Sequence, residues 1–309
     1  MTWDTLNRAR DVLRGNAMDR GDPRAALRVL ADPAVDQGEL WSAFACMEGE
    51  CHAALGDHAE AARVLERAAA RGTRDHWVYH GLAREYLALG EAAKYAATLR
   101  DLHTALGWPE SARHGYTFTH DYFSANIPAW TRWFAERITA APIMCLEIGS
   151  WQGGSATWLL DRVVGPRGGW LTCIDTFQGS SEHAAWLGGI GTTLEDLFDR
   201  NIARTGHAGQ CRKLVGRSQD VLRRLHNEEY DFIYIDGAHE AKYVIQDALL
   251  CWPLLREGGY LLFDDAHFTF HDRPAQNTQT AIAAFRTWFA DEIEVLSPDE
   301  DRQILLRKH

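Results

Sequence analysis

The sequence predicts two architectures in one chain: an all-α repeat region, then an α/β domain whose sheet is mainly parallel and closes on an antiparallel strand. Three observations carry this. Gly-acid pairs recur at Gly21-Asp22, Gly56-Asp57 and Gly90-Glu91, at intervals of 35 and 34 residues, each opening an Ala-rich helical stretch that ends on Leu30, Leu65 or Leu99. Farther along, short apolar runs alternate with amphipathic helical segments, the pattern of a parallel sheet wrapped by helices on both faces. The last two apolar runs, Ile293 to Leu296 and Ile304 to Leu306, are joined only by the polar link SPDEDRQ. That link has no room for a crossover helix, so the final strand must enter antiparallel.

In the first hundred residues, an interval near 34 is the tetratricopeptide period. The stretch AALGDHAEAARVLERAA resembles the turn and second helix of such a repeat, with Ala61 where two helices must approach closely. The usual Trp and the closing proline are missing, so the region is tetratricopeptide-like, and an irregular helical bundle is the alternative. Gly107-Trp108-Pro109 breaks the helical pattern and sets the boundary: a helical domain over 1–108 and a second domain over 109–309. The aromatics Phe118, Tyr122, Phe123 and Trp130 then either cap the core or form one wall of a ligand pocket.

The second domain follows in order. An apolar run from Ile143 ends at a glycine-bounded turn, LEIGSWQGGS (Leu146 to Ser155), which opens a helix over Ser155 to Val164. Strands are expected at Trp170 to Ile174, Leu214 to Val215, Phe232 to Ile235, Tyr260 to Phe263 and in the two closing runs. Helices are expected at Asp196 to Arg204, Ser218 to His226, Lys242 to Leu255 and Thr280 to Trp288.

Composition narrows the function. A net charge of -11 argues against nucleic acid and anionic membranes, both of which are bound through clustered Lys and Arg. The six cysteines form no CxxC pair and read as buried thiols of a reducing compartment. The opening residues lack a signal peptide's apolar block and nothing approaches a membrane span, so the expected location is the cytoplasm.

The chemistry sits at strand ends. A dinucleotide fingerprint needs Gly-x-Gly-x-x-Gly, but Gly149 is followed by Ser150, Trp151 and Gln152, bulk where a pyrophosphate would pass. Glu147 would repel phosphates and attract an ammonium or sulfonium; a plain packing turn is the alternative. Asp175, ending the second strand, presents two acceptors to the two hydroxyls of a ribose, or else caps the next helix. Ser218 reaches an adenine edge or is the N-cap of its own helix. Asp236, Asp264 and Asp265 end the fourth and fifth strands, and adjacent strands lie about 4.8 Å apart. Converging carboxylates repel one another unless a cation, a shared proton or a positive ligand neutralises them. Hard oxygen donors favour Mg²⁺ over zinc. In the other reading, Asp236 contacts the cofactor and Asp264 and Asp265 cap a loop. Of the nearby histidines, His239 is the first choice for a general base and His267 the second; His271 lies close by.

Together the motifs LEIGS, IDTF, YDFIYIDGAH and GGYLLFDD make residues 116–309 resemble class I S-adenosylmethionine-dependent methyltransferases, whose Rossmann-like sheet has seven strands with an antiparallel last one. The resemblance implies a small-molecule O-methyltransferase with S-adenosyl-L-methionine as cofactor. Glu147, Gly149 and Gly153 would hold its methionine part, Asp175 its ribose and Ser218 its adenine region, with Ser150, Ser155 and Thr176 in the same motifs. Asp236 would stand between cofactor and substrate. Metal-dependent relatives carry acids at the positions of Asp236 and Asp264, with Asp or Asn at that of Asp265; here all three are Asp, which implies Mg²⁺. No lysine stands beside Asp236 as in some catechol-type relatives, which points to a sugar or other natural-product hydroxyl. A rival from another class is an interaction module, with helical repeats that recruit a partner and a catalytically idle sheet domain. In an active enzyme the repeats would serve as a substrate lid, a dimerisation surface or a docking surface for a protein.

Overall fold

The structure, a computed structural model, describes residues 2–14, 21–31, 40–73, 75–179, 192–225, 229–267, 273–298 and 301–309. His226 and His271 lie outside them. The chain divides into two compact units, Met1–Asp121 and Tyr122–His309.

The first unit is helical: α1 (Thr2–Arg14), α2 (Pro23–Leu30), α3 (Trp41–Ala54), α4 (His58–Ala70), α5 (His76–Ala88), α6 (Ala92–Ala105) and the short α7 (Glu110–His114). Each recurring Gly-acid pair sits just ahead of an even-numbered helix. Gly56 and Gly90 adopt φ of +79° and +72°, a left-handed turn that stops one helix. The acid then starts the next: Asp22 and Asp57 accept hydrogen bonds from the amides of Ala25 and Glu60. Leu65 of α4 fills space left by glycines on both neighbours, since a Cβ at Gly49 or Gly81 would lie 3.1 or 3.0 Å from its side chain. Residues 109–121, read from sequence as the start of the second domain, fall in this unit. There His103 Nδ1 lies 2.6 Å from Ser111 Oγ, and the rings of Trp108 and Tyr116 are 5.7 Å apart.

The second unit is a seven-stranded sheet in the order β3-β2-β1-β4-β5-β7-β6. Its strands are β1 (Ile143–Ile148), β2 (Gly169–Asp175), β3 (Cys211–Val215), β4 (Tyr230–Ile235), β5 (Leu255–Phe263), β6 (Ile293–Val295) and β7 (Ile304–Lys308). All neighbours are parallel except β7, which runs antiparallel to both β5 and β6. The central strands are buried on both faces, as their continuous apolar runs require. On one face Trp130 of α8 (Ile127–Glu136) stands edge-on to Trp158, Phe232 and Tyr234. Phe123 packs in the same cluster, so it and Trp130 belong to the core. Phe118 is buried in the helical unit beside His103, whereas Tyr122 is 44% exposed next to Trp151.

Helix α9 (Gly154–Leu159) continues as a π-helical turn over Leu160–Val164. The helix expected over Lys242 to Leu255 stops at Cys251. Pro253, which has no N–H to continue the ladder, sits in a 3₁₀ turn, and Leu255 already begins β5. The helix after β3 spans only Ser218–Leu222 among the described residues. No helix among the described residues is long and apolar enough to cross a membrane.

Candidate functional site

Register builds the site. Ile148 pairs with both Ile174 and Ile235, and Ile235 with Phe263, so the next residues of four strands, Gly149, Asp175, Asp236 and Asp264, emerge side by side along one sheet edge. The strand order reverses at β1, the point where open α/β sheets leave a crevice. A cleft of about 350 Å³ opens there, lined by Gly149, Asp175, Thr176, Ser218, Gln219 and Tyr243 among others. Three non-glycine residues in these loops, Trp151, Phe177 and Asp265, hold φ between +50° and +53°. Left-handed backbone at such residues is strained, and it clusters at functional sites.

At the β1 and β2 ends the loops are clamped by one carboxylate. Asp175 Oδ2 accepts the amides of Ser150 (2.8 Å) and Trp151 (2.7 Å), and its Oδ1 accepts that of Phe177 (2.7 Å). Burial nonetheless outweighs these bonds and leaves the acid above its ordinary range. Asp175 therefore fixes two strained turns as well as facing the cleft. Gly149 could be nothing else, because a Cβ there would lie 1.8 Å from the carbonyl oxygen of Asp236.

Glu147 is fully buried and is not among the residues lining the cleft. Its carboxylate accepts the Ser155 hydroxyl at the start of α9 and, at 3.4 Å, the Cys173 thiol. Burial pushes it up to about 7, against the lowering effect of its hydrogen bonds. Gly153, with φ of +82°, is the N-cap of α9 and packs on Phe198. Thr176 lines the cleft, and its hydroxyl accepts the Gln178 amide. Ser218 lines the cleft at the first helical position rather than as N-cap, a place taken by Arg217. Its side chain is hydrogen-bonded to Asp247, which burial pushes up to about 7.

The β4 and β5 ends are different in kind. Tyr234 points its hydroxyl at both Asp236 Oδ2 (2.9 Å) and Asp264 Oδ2. One phenolic proton is shared between two carboxylates, an arrangement that favours a further proton on the pair. Burial first, then the Asp264 charge, pushes Asp236 up to about 8. Asp264 is also raised by burial, with Arg302 opposing. Asp265 is held below its ordinary range: burial works against this, but His239 and Arg302 prevail. His239 Nε2 lies 3.1 Å from Asp265 Oδ2 and 3.9 Å from Asp236 Oδ1.

The metal set expected from sequence is rearranged here. Both Asp264 oxygens are engaged: Oδ1 by Arg302 Nε (3.4 Å) and the Asp265 amide (2.7 Å), Oδ2 by Tyr234 and by Asn126 Nδ2 (3.3 Å). The group that converges is Asp236, His239 and Asp265, with one donor atom from each within 4.8 Å of the others. Two carboxylates and one imidazole fit a divalent cation somewhat softer than Mg²⁺. His267 is exposed. Sequence reasoning missed Tyr234, Asn126, Asp247 and Arg302. Only Tyr234, two residues before Asp236 and so on the same strand face, carried a usable signal.

The parallel sheet, its antiparallel β7 and the glycine-bounded turn after β1 define the fold of a class I methyltransferase domain. Residues 146–266 match the family model described as "Methyltransferase domain". Among curated proteins, one from Mycobacterium sp. (strain KMS) named "Putative O-methyltransferase" is 31% identical over 131 residues, 41% of this chain and 49% of the relative. A protein of the same name from Mycobacterium sp. (strain JLS) is 31% identical over 155 residues, 48% of this chain and 60% of the relative. The chain thus spans roughly half the length of the curated relatives it matches. The solved O-methyltransferase NovP is 18% identical with a TM-score of 0.46, covering 65% of this chain and 88% of its own. TomG from Streptomyces achromogenes, solved with its cofactor, is 19% identical with a TM-score of 0.39, covering 53% and 72%.

Proposed function

We propose that the Tyr122–His309 unit transfers a methyl group from S-adenosylmethionine to a hydroxyl of a small molecule, a sugar or another natural product, with a divalent cation at Asp236, His239 and Asp265. The observation that carries this reading is the adjacency along one sheet edge of a nucleoside-sized cleft at β1–β3 and an under-neutralised acid cluster at β4–β5. S-adenosylmethionine supplies an electrophilic methyl on a sulfonium, and the cation, when bound, lowers the pKa of the acceptor hydroxyl. The chain's own residues supply placement. Gly149 keeps the strand end bare of side chain, and Asp175 holds the two flanking loops. Tyr234 and Arg302 hold the carboxylates of Asp236 and Asp265 in place. Orientation of this kind is the larger part of what a protein adds to an in-line displacement.

A ring nitrogen that binds a cation does not also take a proton. This reading therefore makes His239 a ligand rather than the expected general base, and chelation separates the roles. Incubation with methyl-labelled S-adenosylmethionine and a panel of glycosides and phenols should give a labelled acceptor, and exhaustive chelation should abolish it. Transfer that survives chelation returns His239 to the role of base. Failure of the full chain to bind S-adenosylhomocysteine removes the methyltransferase reading altogether. The three helix pairs of the first unit, at a 34 to 35 residue spacing, support a tetratricopeptide-like docking role, which pull-down with the isolated Met1–Asp121 segment as competitor would test.

A further inference from the structure

Asp247 is a carboxylic acid in the middle of the helix Ala241–Cys251, 1% exposed, and none of the chemistry above uses it. Its partners are two side chains of the cleft wall: Gln219 Nε2 donates to its Oδ1 at 3.0 Å, and Ser218 is hydrogen-bonded to it. It also closes on the cleft floor, where a Cβ on Gly237 would lie 3.7 Å from its Oδ2. In its ionised form the carboxylate is an acceptor only, so each partner must then turn a donor toward it. The Gln219 amide then has one N–H directed inward, which fixes its orientation and leaves its carbonyl oxygen and its second N–H for other partners. The Ser218 hydroxyl has one proton, directed to Asp247, and it too is left with lone pairs.

We infer that Asp247 is a positioning residue that fixes the Ser218 hydroxyl as a hydrogen-bond acceptor and orients the Gln219 amide beside it, so that the cleft selects a purine carrying an exocyclic amine over one carrying a carbonyl at the same position. This rests on the reading of the cleft as a nucleoside site. A carbonyl-bearing base would set oxygen against oxygen and leave buried acceptors unpaired, which a polar site penalises more heavily than a lost apolar contact.

The test is titration calorimetry of the full chain at pH 8.5 with S-adenosylhomocysteine and with S-inosylhomocysteine, its deaminated analogue. The wild type should bind the adenosyl form at least about tenfold more tightly. Asp247→Asn keeps the shape but offers both a donor and an acceptor, and the preference should fall to within about threefold. Ser218→Ala, which removes the fixed acceptor, should do the same, and it carries the test if Asp247→Asn does not fold. A tenfold preference retained by either variant overturns the inference, as does an equal loss of affinity for both analogues, which marks a purely structural role. Equal binding of the two analogues by the wild type overturns it while leaving the cofactor reading standing. Binding of neither removes both.

Discussion

Two halves of one sheet edge place aspartates at equivalent strand ends and neutralise them differently. Asp175, at the end of β2, meets uncharged donors, the backbone amides of Ser150, Trp151, Thr176 and Phe177. Asp236, Asp264 and Asp265, at the ends of β4 and β5, meet a tyrosine, an asparagine, a histidine and Arg302. Fixed backbone dipoles complete the first half without a ligand. In the second, three carboxylates share one permanent cation among the described residues, and burial first, then the neighbouring Asp264 charge, keeps a proton on Asp236 up to about 8. The first half is a rigid seat, and the second is poised to take up positive charge or release a proton.

The comparison breaks most sharply by substitution on the charged side. Asp265→Asn should lower methyl transfer by about 10² to 10⁴-fold while leaving S-adenosylhomocysteine affinity within about threefold, as read by steady-state assay and calorimetry. Comparable loss of both would mean that the halves are not distinct. On the rigid side, Asp175→Ala removes the acceptor for four backbone amides at two strained turns. It should cost roughly 3 kcal/mol in urea denaturation and weaken cofactor binding at least about tenfold.

A third test uses pH. Burial raises Glu147 to about 7, so the folded chain retains a proton that the unfolded chain releases above its ordinary value. The contribution is fully present below the unfolded pKa and is lost as pH rises through about 7, on the order of 3 kcal/mol at most. Asp247, also raised to about 7, acts in the same direction. Urea midpoints should therefore fall between pH 5 and pH 8, and Glu147→Gln should flatten the slope without removing it; an unchanged slope contradicts the assignment. The smallest effect concerns Arg302. Arg302→Gln removes the resident cation and should tighten Mn²⁺ binding by roughly tenfold, with Arg302→Lys close to wild type.

The strand ends were legible in the sequence because each closes an apolar run with a glycine or an acid: LEIGS, IDTF, YIDGAH, LLFDD. Their lateral neighbours were not. Asn126 and Asp264 are 138 positions apart, and Arg302 comes from the link between β6 and β7, whose polarity looked like that of any turn. The convergence of His239 with Asp236 and Asp265, in place of Asp264, has a local reason. Asp264 and Asp265 are consecutive and so diverge, and the left-handed φ of +50° at Asp265, which no residue type there advertises, turns its carboxylate toward His239. In the helical region the spacing of the Gly-acid pairs marks the helix starts, through a left-handed glycine at Gly56 and Gly90 and a capping acid at Asp22 and Asp57.

The central claim, that one half of the edge seats the cofactor and the other performs the chemistry, is tested most directly by calorimetric titration of S-adenosylhomocysteine into the wild type, Asp175→Ala and Asp265→Asn. The predicted result is one site per chain in the wild type, retained in Asp265→Asn and weakened at least about tenfold in Asp175→Ala. No binding to the wild type, or equal weakening in both variants, would contradict it.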